Sequence, residues 1–216
     1  SQPPFFSRGS GSLRPEKIVS YEVEYQGWYL KHRLRIRTAA FFNHISDLIT
    51  FGPSGVIQAD IADIYGGEAG MEFLATKWLS VFGNFAYQEI GQTLTGAAQR
   101  AGPRFKYNAG LRTQWENGLS GEIAYHYVGV ATYQLSPTFS MFSALGVVPP
   151  NPYVGSYELL NLRGAYRFWQ EAAEAGYRRE AEVAVSAFNS LNDTHKEHPL
   201  GDTIGSRVMG WLTLRY

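Results

Sequence analysis

RFKYNAGLRTQW, residues Arg104–Trp115, is the stretch on which the reading turns. Odd positions carry Phe105, Tyr107, Ala109, Leu111, Thr113 and Trp115. Even positions carry Arg104, Lys106, Asn108, Gly110, Arg112 and Gln114. Side chains of an extended strand point alternately to its two faces, so this segment has one apolar, aromatic face and one polar, charged face.

The same period of two recurs along the chain. Val19, Tyr21, Val23 and Tyr25 oppose Ser20, Glu22 and Glu24. Leu34, Ile36, Ala40 and Phe42 oppose Arg33, Arg35, Arg37 and Asn43. Tyr65, Ala69, Met71 and Phe73 oppose Glu68 and Glu72. Comparable segments begin at Leu79, Leu119, Leu160, Val183 and Val208. The pattern predicts about nine strands, each close to the ~9–11 residues a tilted strand needs to cross a bilayer. Soluble strands are shorter, typically about five or six residues. The fold expected is all-β: antiparallel transmembrane β-barrel strands.

Composition agrees with β structure. Aromatic residues make up 15% of the 216, glycine occurs 23 times, and cysteine is absent. Disulfides, thiolate zinc sites and thiol catalysis are thereby excluded. A net charge of zero argues against a nucleic-acid partner. The apolar part of the longest uncharged stretch is too short for a transmembrane helix.

Short connections are expected near residues 26–31, 75–78 and at Glu116-Asn117-Gly118, the last an Asn-Gly hairpin signal. Residues 170–179 are expected to hold a longer turn or a small helix. Long connections are expected at 49–62, 91–103, 134–155 and 193–205. Short periplasmic turns facing long extracellular loops are the asymmetry of outer-membrane barrels. Trp28, Trp78, Trp115 and Trp169 fall beside the short turns. Indole favours the membrane interface, so these four are expected to form a periplasmic girdle.

The C-terminal segment Ser206–Tyr216 resembles the terminal strand by which outer-membrane proteins are recognised for assembly, with Val208, Leu212, Leu214 and Tyr216 as the signal. A more specific likeness begins at Leu13-Arg-Pro-Glu and continues through Tyr21-Glu-Val-Glu-Tyr25 and Ala40-Phe-Phe-Asn43. It includes Tyr65-Gly-Gly-Glu68, Pro103–Gly110 and Ala187-Phe-Asn-Ser-Leu-Asn-Asp193. In this order these segments resemble the later barrel strands of TonB-dependent outer-membrane receptors.

The resemblance implies a fragment of a 22-stranded barrel. Residues 13–216 would be its C-terminal strands, and 1–12 the remnant of an extracellular loop. The plug domain and the N-terminal barrel half would lie elsewhere. Implied partners are the bilayer and lipopolysaccharide, the outer-membrane assembly machinery, the TonB complex through the missing part, and a metal chelate or other nutrient. The implied function is TonB-dependent uptake in the bacterial outer membrane, with a ferric siderophore as the commonest case. Three rivals stand beside it: a complete small barrel acting as an adhesin or structural protein, an outer-membrane hydrolase, and a soluble all-β binding domain.

Alternation places Arg35, Glu68, Glu72, Lys106, Arg112, Arg163 and Arg167 on the interior side, since lipid makes such groups costly. They are expected to line a lumen, against a plug or paired with one another. The 134–155 loop holds the candidate ligand-binding residues Phe139, Met141, Phe142 and Tyr153, because exposed apolar loop residues often mark recognition surfaces. His195 and His198 lack a third ligand nearby, so no metal site is expected. No cofactor is called for. No catalytic motif is present; Glu68 and Glu72, about 13 Å apart along one strand, are too distant to act as a carboxylate pair.

Overall fold

The computed structural model describes residues 13–52, 55–92, 102–133, 146, 151–172 and 178–215. The described residues form eleven strands: β1 Lys17–Tyr29, β2 Leu34–Gly52, β3 Gly55–Leu74, β4 Leu79–Gln92, β5 Phe105–Gln114, β6 Leu119–Val128, β7 Ala131–Thr132, β8 Tyr153–Val154, β9 Tyr157–Ala172, β10 Arg178–Phe188 and β11 Arg207–Arg215. Nine of them form one antiparallel sheet in the order β1-β2-β3-β4-β5-β6-β9-β10-β11, and β7 and β8 form a separate ribbon. Chain order and sheet order coincide, which is the meander expected of an up-and-down barrel wall.

The sheet is a single layer. Among the described residues no large side chain is fully buried, and the buried apolar residues are mostly alanines such as Ala124, Ala165, Ala181 and Ala184. A sandwich would enclose its aromatic and branched side chains between two sheets. Here Val23 (75% exposed), Ile123 (50%) and Leu212 (60%) stand free.

Cross-strand register aligns the apolar stripes. Tyr21–Tyr29 lies opposite Leu34–Phe42. Tyr65–Phe73 overlaps Leu79–Tyr87, with Phe73 opposite Val81 and Gly67 opposite Tyr87. Phe105–Thr113 overlaps Leu119–Tyr127, with Thr113 opposite Gly121 and Tyr107 opposite Tyr127. Each stripe spans eight residue steps. At about 3.4 Å per residue that is about 27 Å along the strand. A tilt of about 40° leaves about 21 Å of height, close to the ~25 Å apolar band of outer-membrane barrels. Above the band, toward the long connections, the same face turns polar: His44 pairs with Asp63 at 2.7 Å, and Arg104 with Glu89 at 3.0 Å.

The expected long loop at 49–62 is instead hairpin arms. β2 and β3 stay paired as far as Gly52 and Gly55, with register shifts around Leu48. Asp47 adopts φ 58° within this bulge. An extra residue on one strand breaks the alternation, so the continuing strand carries no period-two signal. Arg14 clamps the bulge through Asp47 at 2.9 Å, and Glu16 accepts a hydrogen bond from the Ile49 N–H at 2.7 Å. β9 and β10 likewise extend through much of the expected turn at 170–179, to Ala172 and from Arg178.

The turn at Glu116-Asn117-Gly118 differs from a two-residue Asn-Gly hairpin. Only Gly118 has positive φ, at 89°, and its N–H bonds the Trp115 carbonyl at 3.2 Å. The Asn117 side chain accepts the Leu119 N–H at 3.1 Å. This is a three-residue loop ending in a left-handed glycine. A Cβ on Gly118 would collide with the Arg167 carbonyl oxygen on β9. Gly118→Ala is expected to destabilise this corner by about 1–2 kcal/mol from the left-handed backbone alone, plus the cost of displacing β9. Faster amide exchange at 115–119 and 165–168 checks this; unchanged exchange contradicts it.

Candidate functional site: the polar face and the 189–206 knot

The second face of the sheet gathers the ionisable residues. Register puts Arg35, Glu68, Glu72, Lys106, Arg112, Arg163 and Arg167 all on this one face. Arg33 is an exception among the expected inward arginines. It sits in the β1–β2 turn and donates to the carbonyls of Leu74 and Ala75 in the next turn. That turn holds Leu30, Lys31 and His32 at φ 51°, 57° and 65°, so the Arg33 bonds tie together a conformation costly for side-chain-bearing residues.

Near the tight-turn end the charges form a belt. Arg112 contacts Glu122 at 2.8 Å and Glu72 at 3.9 Å. Arg163 contacts Glu182 at 3.0 Å. Arg167 lies 3.5 Å from Glu180 and 4.0 Å from Glu182, and Glu180 also pairs with Arg215 of β11. Cations also lie over aromatic rings on this face: Arg112 over Phe82 at 5.3 Å, Arg163 over Trp211 at 5.7 Å and Arg207 over Phe188 at 4.9 Å. Such contacts add about 0.5–2 kcal/mol each, more as water is excluded.

Trp28 belongs to this face rather than to an outer girdle. It pairs in register with Arg35, whose guanidinium lies 5.4 Å from its ring. Trp78 and Trp115 stack at 5.7 Å beside neighbouring tight turns. Trp169 follows the β9 bulge opposite Ala181.

Hollows open on the polar face among the described residues. One of about 310 Å³ is lined by small residues (Ala39, Gly70, Ala86) and by Glu24, Arg37, Glu68 and Lys106. Another, about 170 Å³, lies nearer the tight turns between Arg35, Arg37, Glu72 and Arg112.

At the opposite end the 189–206 connection is knotted to its neighbours. Asn189 is 3% exposed and holds φ 51°. Its side chain accepts the Asp193 N–H and donates to the Asp193 carbonyl, both at 3.0 Å. Its own N–H reaches the Asn161 side chain at 3.0 Å. Asp193 accepts the Glu158 N–H at 2.8 Å. His195 stacks on Tyr157 at 3.9 Å, and the Tyr133 hydroxyl donates to the Glu197 carbonyl at 2.8 Å.

Of the expected loop residues, Tyr153 is in β8 and 67% exposed. Phe139, Met141 and Phe142 lie outside the described residues, as do 1–12. Val208, Leu212 and Leu214 share the apolar face of β11 and are well exposed; Tyr216 lies outside the described residues. His195 and His198 face Tyr157 and Tyr133, and no group of three metal-ligating side chains occurs among the described residues. Asn161, Asn189 and Glu180 were not singled out by sequence. The only hint was the Asn-rich run at 189–193, of the kind that favours turns.

Residues 1–189 match the sequence profile of the family described as TonB dependent receptor-like, beta-barrel. A search of curated proteins finds no match. Among solved structures the chain is similar to the ferric-catecholate import receptor Fiu from Escherichia coli K12, with 16% identity and a TM-score of 0.63, over 87% of this chain and 26% of that one. It is similar to the copper transporter OprC, with 17% identity and a TM-score of 0.69, over 94% and 31%. The FrpB iron transporter from Neisseria meningitidis gives 15% identity and a TM-score of 0.65, over 94% and 32%. The chain thus spans about a quarter to a third of the receptors it matches. Given this profile match and the meander of bilayer-length strands, the chain belongs to the TonB-dependent receptor β-barrel family, an outer-membrane family of transporters rather than enzymes.

Proposed function

We propose that this chain is part of the wall and outer loops of a receptor that takes up a scarce nutrient across the outer membrane in a TonB-dependent way, with a ferric siderophore as the first candidate. The observation that carries the reading is the single-layer sheet with a lipid-compatible face and a charged face. The charged face lines an aqueous lumen, where ion pairs and unpaired charges meet a plug domain and the passing nutrient. β1 and β11, the edges of the sheet, then pair with barrel strands contributed by the rest of a longer polypeptide. The siderophore assignment is supported by structural neighbours named for ferric-catecholate import and iron transport. A neighbour named as a copper transporter keeps a copper substrate as the second reading.

Uptake of radiolabelled ferric siderophores by cells with and without the intact gene tests this. Loss of uptake on deletion, and equal loss when the inner membrane is uncoupled, is the expected result. Unchanged uptake of ferric chelates, with loss of copper accumulation, replaces the first reading by the second. No change for either metal refutes both.

A further inference from the structure

The smaller hollow on the polar face is electrically unbalanced. Arg35, Arg37 and Arg112 border it together with one carboxylate, Glu72, and with Phe82 and Asn84. Arg112 is already held by Glu122 at 2.8 Å, and Glu72 leans on it at 3.9 Å. That leaves two guanidiniums without a carboxylate. Arg35 is fixed from behind, its Nη2 donating to Gln26 at 2.9 Å and its guanidinium lying beside the Trp28 ring. Its Nε is out of contact with solvent and has no acceptor. Glu24 and Glu68 border the adjoining hollow together with Arg37, yet neither forms an ion pair with it.

Guanidiniums present their N–H donors as planar forks that match carboxylate, sulfate or phosphate oxygens. A donor shut off from water without an acceptor is destabilising by about 1–3 kcal/mol, and like charges sharing one hollow add to that. Both costs vanish when an oxyanion enters. We propose that the Arg35–Arg37 hollow is an oxyanion-binding site that takes a carboxylate, sulfate or phosphate-like group. The oxyanion comes either from solution or from an acidic side chain of the polypeptide that fills the lumen. The proposal rests on the polar face lining the lumen. That reading is tested separately: Arg37→Cys should react with a water-soluble maleimide in the intact receptor.

The site itself is tested on the intact receptor in detergent micelles by its thermal unfolding midpoint, with inorganic sulfate exchanged for chloride at constant ionic strength. Arg37 forms no ion pair or side-chain hydrogen bond among the described residues, so Arg37→Gln removes the site without breaking one, and Arg37→Lys keeps the charge. A rise of about 2–4 °C with sulfate in the native protein, absent in Arg37→Gln and partly kept in Arg37→Lys, shows a site for free oxyanions. No response to sulfate, with a similar drop caused by Arg37→Gln alone and not by Arg37→Lys, shows a site filled by the receptor's own carboxylate. The proposal is overturned if sulfate and Arg37→Gln both leave the midpoint unchanged, or if Arg37→Lys loses as much as Arg37→Gln.

Discussion

Ile123→Arg is expected to cost about 2–4 kcal/mol of folded stability in a bilayer, the penalty for a cation at the lipid-facing midplane of a barrel. Ile123 is the central residue of the stripe Leu119–Tyr127, and half its surface is open. No polar group of the sheet lies on that face at its level: its register partners are Leu111 and Leu162. The new guanidinium would therefore have hydrocarbon on every side except the strand beneath. The matched control is His126→Arg, one strand face away. His126 pairs with Asn108 on the polar face, where an added cation meets polar groups and water. The folded fraction after refolding the complete receptor into lipid vesicles reads the difference. Ile123→Arg should fold in markedly lower yield, while His126→Arg should fold like the native chain. Equal yields would contradict the assignment of faces.

Asn189→Ala should loosen the 189–206 knot without unfolding the sheet. The substitution removes both side-chain hydrogen bonds to Asp193. It also places alanine at φ 51°, a conformation asparagine tolerates better. Two hydrogen bonds at about 1 kcal/mol each and about 1 kcal/mol of backbone strain predict a local loss of about 2–4 kcal/mol. Protection of residues 189–206 against hydrogen exchange should fall on the order of a hundredfold, since each 1.4 kcal/mol is about tenfold. Protection within β1–β6 should not change. A loss spread evenly over the sheet would show that the knot is part of the global fold and not a separately held loop.

Much of this architecture is written in the alternation of side chains, because a sheet with lipid on one side and water on the other demands it at every position. β5 is the plain case. Each residue of Phe105–Thr113 sits on the face that its parity predicts, and Arg112 meets Glu122 across the strand boundary as opposite charges should. Parity fails where the backbone inserts a residue. At Asp47 the bulge hid a long hairpin. At the β9 bulge Phe168 and Trp169 fall in succession where two residues oppose one. Trp28 obeys parity, sharing the face of Glu22 and Glu24; nearness to a turn misled the girdle expectation, since its ring lies beside Arg35 on the polar face.

The site was legible only as a face. Sequence assigned Arg35, Glu72 and Arg112 to one side of the sheet, but not the imbalance between them. That depends on which carboxylate each arginine has already taken, a matter of distances across four strands. The knot was less visible still. Asn161 and Asn189 are 28 residues apart, and only the closure of β9 against β10 brings their side chain and backbone to 3.0 Å.

The central claim is that neighbouring residues of one strand face different solvents. Single cysteines placed in turn from Phe105 to Thr113 of the intact receptor in lipid vesicles test it most directly. Each is exposed to a charged, water-soluble thiol reagent. Positions 106, 108 and 112 should react, and 105, 107, 109, 111 and 113 should be protected, with the order reversed for a thiol reagent dissolved in the lipid. Gly110 is left unchanged, since a Cβ there would collide with the Ile123 carbonyl oxygen. Uniform reactivity, or labelling of 107, 109 and 111 from water, would contradict the account.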